Sequence, residues 1–578
     1  MARIRKIEIK NFRGIKEFSW LPSPGLNCLI GPGDSGKSSI LDAIDFCLGA
    51  RRNIQFSDAD FYRLEVENPI SISVTIGELD DGLKNFDAYG MYVRGFDKQS
   101  GEIEDEPEKD TETVLTVRLA VGNDLEPSWS LVSERADALG LSRNLSWRDR
   151  VRLAPTRIGV MADHHLGWRR DSVLNRVSDE RADASAALAK AARDARAAFG
   201  DEAQDQLGET LDIVSATAKE LGVSIGEKIK AMLDANSVSF SGGTISLHDE
   251  DGIPLRGLGI GSTRLLIAGL QRRAAAQSTI ILIDELEHGL EPHRITRLLG
   301  SLGAKESDPP LQVFMTSHSP VALRELSGNQ LFVTRPSLGR LDVLRVGTTD
   351  DIQSTIRLYP EAFLAPSVVV CEGASEVGLL RGLDQYRTAN GHTALGAQGT
   401  ALIDSGGGDP DKPFKRAAAF QALGYRTAIF RDDDKKPTEA VEAAYISNGG
   451  KVIAWRDGRA LEDELFLSLT DSAVEGLIGR AIELHGEELV NDHIKSASLN
   501  AKSLDEIKNE VLFEGFVTVE SRKILGQASR TRRAGWFKSV TWMEDLARDF
   551  VGPDLENSDA GFRALVDEVF SWSSNDGE

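Results

Sequence analysis

Gly31-Pro32-Gly33-Asp34-Ser35-Gly36-Lys37-Ser38 decides the fold class of this chain, because it sits between an apolar run and a helically spaced segment. The run Leu26 to Ile30 reads as a short buried strand, and Ser38 to Leu48 follows helical spacing. The octet fits the phosphate-loop pattern, glycine, four residues, then glycine-lysine-serine or threonine, in the strand–loop–helix setting that pattern requires. Glycines let backbone N–H groups close around phosphates at a helix N-terminus. Lys37 supplies a point charge to the terminal phosphates and the Ser38 hydroxyl holds Mg²⁺. Gly31, Gly33, Asp34, Ser35, Gly36, Lys37, Ser38 and Ser39 are therefore the expected nucleotide-binding residues, with ATP and Mg²⁺ as ligands.

Three later segments extend the site. Thr279 to Ile283 is a strand-like run that ends in Asp284-Glu285. Asp284 is placed to organise Mg²⁺ and its waters, and Glu285 to polarise an attacking water as the catalytic acid-base group. Glu287 to His293 follows and resembles the D-loop region of recombination and repair ABC ATPases. Val313 to Thr316 is a further strand, and His318 after it is placed to sense the γ-phosphate.

At 578 residues the chain exceeds one core, so two or more domains are expected, with a candidate junction between about Thr348 and Pro366. No apolar run approaches the ~20 residues of a bilayer span, and the N-terminus lacks the apolar stretch of a signal peptide. Cys28, Cys47 and Cys371 are scattered, which gives neither a disulfide framework nor a zinc site. The expected location is cytoplasmic, without a membrane partner. A net charge of −23 lowers the expectation of a nucleic-acid partner without excluding it, since grooves act locally. Between about 175 and 235 the composition shifts to Ala, Asp, Glu, Arg and Lys, as in an amphipathic helical insert, solvated or dimerising.

The second half carries unusual acids. Val368 to Cys371 is a buried-strand run with Glu372 at its tip and Glu376 one helical turn further. Thr427 to Phe430 is another, ending in Arg431-Asp432-Asp433-Asp434, where alternation points Asp432 and Asp434 the same way. Glu462, Asp463 and Glu464 follow a third strand. Open α/β sheets bind ligands beyond the carboxyl ends of their strands. Clustered carboxylates there suit Mg²⁺ or Mn²⁺, and a two-metal arrangement hydrolyses phosphodiesters. Arg522, Lys523, Arg530, Arg532 and Arg533 form the most basic segment of this half, a candidate DNA backbone contact.

Ile7 to Gly14 together with the phosphate loop resembles the RecF and SMC branch of ABC ATPases. That resemblance implies two nucleotide domains closing on ATP, with Gly257 to Arg264 as the signature loop and Ser262 as its phosphate contact. Glu372-Gly373 with Asp432-Asp433-Asp434 looks like a Toprim metal-binding domain. The combination resembles the OLD (overcoming lysogenization defect) family, including its Gabija-type members. The implied fold class is α/β. A RecF/SMC-like ABC ATPase domain with a helical insert occupies 1–355, followed by a Toprim domain with helical C-terminal elements over 356–578. The family implies Glu372, Glu376, Asp432, Asp434 and one of Glu462 or Glu464 as metal ligands. It implies Glu372 and Lys538 as catalytic, and the Gly406-Gly407-Gly408 turn as bringing Ser405 near the metal. The expected activity is ATP-regulated, Mg²⁺- or Mn²⁺-dependent DNA endonuclease in anti-phage defence or DNA processing. The expected partners are DNA, a second copy or higher homo-oligomer, and a UvrD-like helicase. The competing reading is a non-nuclease ATPase clamp in DNA repair.

Overall fold

The structure is a computed structural model. It describes residues 2–51, 54–159, 165–166, 172–174, 185–220, 247–248, 250–251, 254–274, 279–337, 339–456, 458–531 and 534–574. Two compact units divide the chain. The first comprises Met1–Leu29, Gly36–Leu326 and Pro336–Asp342. The second comprises Ile30–Ser35, Ser327–Arg335 and Val343–Glu578. The second unit thus begins before the boundary at 356 expected from sequence, and it also takes two short earlier segments.

In the first unit, β1 (Arg3–Phe12) and β2 (Ile15–Trp20) form the expected antiparallel strand pair. β3 (Leu26–Ile30) leads into the phosphate loop. β4 (Ile70–Gly77), β5 (Val93–Phe96), β6 (Ile103–Glu104), β7 (Glu112–Val121) and β8 (Pro127–Leu131) complete an antiparallel layer with them. In β1 and β4, Ile7 stands opposite Val74 and Ile9 opposite Ile72, and all four are fully buried. That register follows from alternation: a slip by one residue would turn every one of these side chains to the other face.

β9 (Thr156–Ile158), β10 (Ile280–Ile283) and β11 (Gln312–Thr316) continue the unit in the parallel order β3-β11-β10-β9. The four residues of β10 are all buried, as the unbroken Ile-Ile-Leu-Ile run requires of a strand covered on both faces. The phosphate loop, Asp284-Glu285 and His318 all follow the carboxyl ends of these neighbouring strands, where open α/β sheets bind ligands. β12 (Leu331–Ser337) carries residues of both units, and β13 (Arg340–Arg345) pairs with β2.

The described part of the insert is a helix, Ser185–Glu220, of 36 residues. Leu207, Ile213 and Val214 are exposed along it. The remainder of the expected insert, 221–246, lies outside the described residues.

The second unit is built on four parallel strands, β14 (Ser367–Cys371), β15 (Thr400–Asp404), β16 (Arg426–Arg431) and β17 (Lys451–Ala454). Their order is β15-β14-β16-β17, so the chain steps to one side of β14 and then to the other. That reversal opens a crevice at the carboxyl ends of the first strands. Helices from Leu461 to Ser574 share its core: Val369, Phe430 and Ile453 from the sheet are buried with Leu465, Trp536 and Phe562, and Trp455 stacks on Phe562. Helix Ala374–Ala389 crosses helix Val540–Leu546 with backbone in contact. A Cβ on Gly378 would lie 2.5 Å from the Val540 carbonyl, and one on Gly382 would collide with that of Glu544.

Candidate functional site

The phosphate loop is shaped by backbone that side chains disfavour. Gly31 has φ +134° and Gly36 φ +79°, and a Cβ on Gly31 would lie 2.8 Å from the Thr334 carbonyl oxygen. Helix Lys37–Leu48 begins at Gly36 with no side-chain cap and no acid of its own in its first turn, a start that suits an anion. The Ser35 hydroxyl is committed inside the loop, donating to the Pro32 carbonyl at 2.9 Å and bonding Thr334 Oγ1 at 2.7 Å. The Ser35 hydroxyl therefore shapes the loop, which leaves its backbone N–H as the group for a phosphate.

Ser38 Oγ donates to Asp284 Oδ1 at 3.2 Å, which brings the two expected Mg²⁺ groups together. Thr316 Oγ1 donates to the same oxygen at 2.7 Å and accepts from the Glu285 N–H at 2.8 Å, so the hydroxyl joins the ends of β10 and β11. Glu285 adopts φ +46° and its side chain is largely exposed. Glu287 holds the loop before His318, accepting from Ser317 Oγ at 2.8 Å and from the His318 N–H at 2.7 Å. The sequence reading gave Glu287 no such role.

Arg264 was likewise missed, though it ends the expected signature loop. It is 1% exposed and its guanidinium donates to the carbonyls of Ile158, Asp284, Glu285, Leu286 and His288. A Cβ on Gly261 would collide with the Gly289 carbonyl. Helix Ile260–Arg273 and the turn after Asp284 are thereby fastened together, while Leu258 and Ile260 at the helix start stay exposed. Ser262 Oγ accepts from Arg294 at 3.0 Å and is only partly buried, which leaves its other lone pair open. Arg264→Ala would strand five carbonyl groups, a loss of about 3 kcal/mol or more. The expected result is a lower Tm and a fall in ATP turnover greater than in ATP binding, read by calorimetry and phosphate release.

In the second unit the strand tips gather carboxylates. The Asp432 N–H donates to Glu372 Oε2 at 3.1 Å, and Asp432 Oδ1 accepts from the Leu461 N–H at 2.9 Å. Glu376 Oε2 accepts from the Gly373 N–H at 2.8 Å, closing the first turn of its helix. Glu376 and Glu462 are each 4% exposed. Burial, then the charges of Glu462 and Glu372, push the Glu376 carboxyl up to about 8. Burial and the charges of Glu376, Glu462 and Glu372 raise Asp432 well above the carboxylate range. Glu372 and Glu462 are raised as well, chiefly by burial.

Among the described residues, no three acidic, histidine or cysteine side chains already converge at metal-holding distance. The mutual charge effects nonetheless place these acids in one neighbourhood, and the hydrogen bonds explain their present spacing, since backbone N–H groups occupy the carboxylates.

A carboxyl with an ordinary value of 4.5 that reaches about 8 when folded favours the folded state at low pH, and that favour is lost as pH rises through about 8. In chelator, Tm is therefore expected to fall between pH 6 and pH 8.5, and Mn²⁺ to reverse the fall. A Tm that is flat across that range would contradict the clustering.

Lys538 is exposed beside this pocket and lowers the Glu462 carboxyl by its charge. Its position is set by neighbours: Trp536 and Phe537 are fully buried, the Trp536 N–H donates to the Ser529 carbonyl at 3.0 Å, and Trp536 Nε1 donates to His493 at 3.1 Å.

Glu464 does not join the cluster. It is fully buried and held by Arg459 at 3.1 Å, by Arg456 and by Ser468, a structural ion pair and not a metal ligand. Arg522 is also structural. It is 9% exposed, pairs with Asp471 at 2.7 Å and donates to the carbonyls of Phe466, Leu469 and Val517, so it is removed from the DNA-contact set. Arg530 is engaged by Asp434 and Asp463. Lys523 is exposed, and Arg532 and Arg533 lie outside the described residues.

Residues 26–324 match the family described as "AAA domain, putative AbiEii toxin, Type IV TA system", more than half of the chain. The chain belongs to this AAA-domain family. Among curated proteins it is 36% identical over 58 residues to the DNA replication and repair protein RecF of Chlorobium phaeovibrioides, 10% of this chain and 16% of that one. It is 47% identical over 49 residues to the chromosome partition protein Smc of Methanocaldococcus jannaschii, 8% of this chain and 4% of that one. The AAA-domain chain thus spans less than a fifth of the length of these relatives.

The SMC head bound to the C-winged helix domain of ScpA overlays with TM-score 0.32 and 16% identity, covering 59% of this chain and 97% of that one. The SMC head of Thermotoga maritima gives TM-score 0.29 and 13% identity, over 60% and 100%. Overlays this loose add nothing to the strand order already described. Over these short stretches the chain is similar to RecF and Smc proteins, and ATP with Mg²⁺ are the ligands that an ATPase family of this kind uses. Among the described residues, no helix is long and apolar enough to cross a membrane.

Proposed function

We propose that this chain is an ATP-regulated, divalent-metal-dependent DNA endonuclease of the OLD type, with the second unit acting as a Toprim-like nuclease domain. The observation that carries this reading is the set of carboxylates at the tips of a four-stranded parallel sheet, whose protonation equilibria are pushed upward by burial and by one another. Buried like charges need either protons or cations.

The residues fit a hard cation. Ser405 is 1% exposed close to Glu372, its N–H donating to the Cys371 carbonyl at 3.0 Å, yet its hydroxyl has no partner among the described residues. An orphaned buried oxygen next to carboxylates suits an oxygen-ligated ion. Glu372, Glu376, Asp432, Asp434 and Glu462 are the residues that would hold Mg²⁺ or Mn²⁺, with Ser405 beside them. Bound there, the metal would supply an activated water and neutralise the phosphate.

The chain's own residues do the rest. Backbone N–H groups of Gly373, Asp432 and Leu461 orient the carboxylates. Lys538, fixed by Trp536 and Phe537, stabilises charge that builds on the phosphate oxygens. In the ATPase unit, Glu285 and His318 respond to the γ-phosphate, and exposed Leu258 and Ile260 suit a second copy closing over the nucleotide. The repair function in the RecF relatives' name agrees with DNA as the substrate.

The test is purified protein on supercoiled plasmid with Mg²⁺ or Mn²⁺, with and without ATP, against a chelator control. Metal-dependent nicking is expected. No cleavage under any divalent metal would instead favour a non-nuclease ATPase clamp, a reading supported by the absence of preformed metal-holding geometry among the described residues.

A further inference from the structure

Arg530 stands where the acids of the second unit meet. It caps the C-terminus of helix Val519–Ser529. Its Nη1 lies 3.3 Å from Asp434 Oδ2, from the segment after β16, and its Nη2 lies 3.2 Å from Asp463 Oδ2, from the first turn of helix Leu461–Ser468. The guanidinium therefore joins two of the three acidic segments with its two terminal nitrogens, and its charge also acts on Glu462. Only 29% of the side chain is exposed. Asp463 Oδ2 accepts from the Ala460 N–H at 3.1 Å as well, so this one oxygen serves both the arginine and the helix start. Lys538 Nζ donates to the Arg530 carbonyl at 3.4 Å, which ties the latch and the lysine to one short stretch of chain.

We propose that Arg530 is an internal cation that competes with divalent metal for the acidic pocket, a latch that must leave Asp434 before Mg²⁺ or Mn²⁺ binds fully. The inference rests on reading the pocket as a metal site. A guanidinium stays protonated at every relevant pH and its planar fork matches two carboxylates, so it neutralises repulsion that a metal would otherwise neutralise. Two cations cannot occupy one carboxylate's lone pairs without mutual repulsion, so metal entry and the Arg530–Asp434 pair oppose each other.

The experiment titrates Mn²⁺ alone into the full chain, by calorimetry or by electron paramagnetic resonance of free Mn²⁺, for wild type, Arg530→Gln and Asp432→Asn, with Tm in chelator measured for each. The latch predicts that Arg530→Gln binds Mn²⁺ about tenfold tighter, about 1.4 kcal/mol, while melting lower in chelator. Asp463→Asn removes one partner without touching the arginine and should shift affinity in the same direction, which covers the case of a poorly folded Arg530→Gln. Unchanged or weaker Mn²⁺ binding in both, with wild type binding more tightly than Asp432→Asn, would overturn the latch and leave the metal site standing. Equal binding in wild type and Asp432→Asn, or none in either, would overturn the metal site and the latch together.

Discussion

Asp432→Asn is expected to remove metal-dependent nicking, by about 10³-fold or more, while raising Tm in chelator. The substitution keeps an oxygen for the Leu461 N–H that Asp432 accepts at 2.9 Å, so the local fold loses no hydrogen bond. It removes one charge that repels Glu376, Glu462 and Glu372. Asp432 keeps a solvent edge, yet burial is the largest influence on its carboxyl, and neutralising a group so placed relieves the folded state. A purely structural acid would show the opposite pair of results: lower Tm and unchanged nicking. The decisive outcome is therefore the combination, read by plasmid relaxation and differential scanning calorimetry on one preparation. Nicking that survives in Asp432→Asn would end the assignment of this pocket as the cleavage site.

Lys37→Ala should weaken ATP binding about 100-fold, about 2.7 kcal/mol, without abolishing the cutting chemistry. Lys37 is only 6% exposed at the first position of its helix, in a turn with no acid to oppose it. Its loss removes the one side-chain cation of the phosphate loop, while the backbone N–H groups remain. Binding of a fluorescent ATP analogue measures the first effect. Basal Mn²⁺-dependent nicking measures the second, and should persist while losing its response to ATP. A variant that binds ATP normally would contradict the site. One that binds no ATP yet keeps the full nucleotide response would contradict the regulatory role.

The ATPase site was readable because each of its parts is contiguous. A glycine-rich octet, an apolar run ending in Asp284-Glu285 and a strand ending at His318 announce themselves locally, and the sheet only brings the ends together. Residues that act across the chain were not readable in the same way. Arg264 binds carbonyls supplied by β9 and by the turn after β10, which no spacing rule connects. Glu462 and Glu464 are two positions apart on a helix, about 200° around it, so they cannot share a face. Which of the two faces the acids depended on where Arg456 and Arg459 lie, and those arginines claim Glu464. Basic residues counted along the chain also misled. Arg522 is spent inside the unit on Asp471 and carbonyls, because a buried carbonyl or carboxylate attracts a guanidinium as readily as a phosphate does.

The backbone contact at Gly378 and Gly382 reaches further than packing. Helix Ala374–Ala389 starts two residues after Glu372 and carries Glu376, and helix Val540–Leu546 starts two residues after Lys538. With glycine on the first helix at both crossing points, the second helix packs directly on its backbone, so the acid and the lysine share one frame although 162 positions separate them in the chain. Tuning this centre by sliding one element past the other is mechanically closed off. Control has to come from what enters the frame or leaves it, such as an ion, a strand of DNA or the side chain of Arg530.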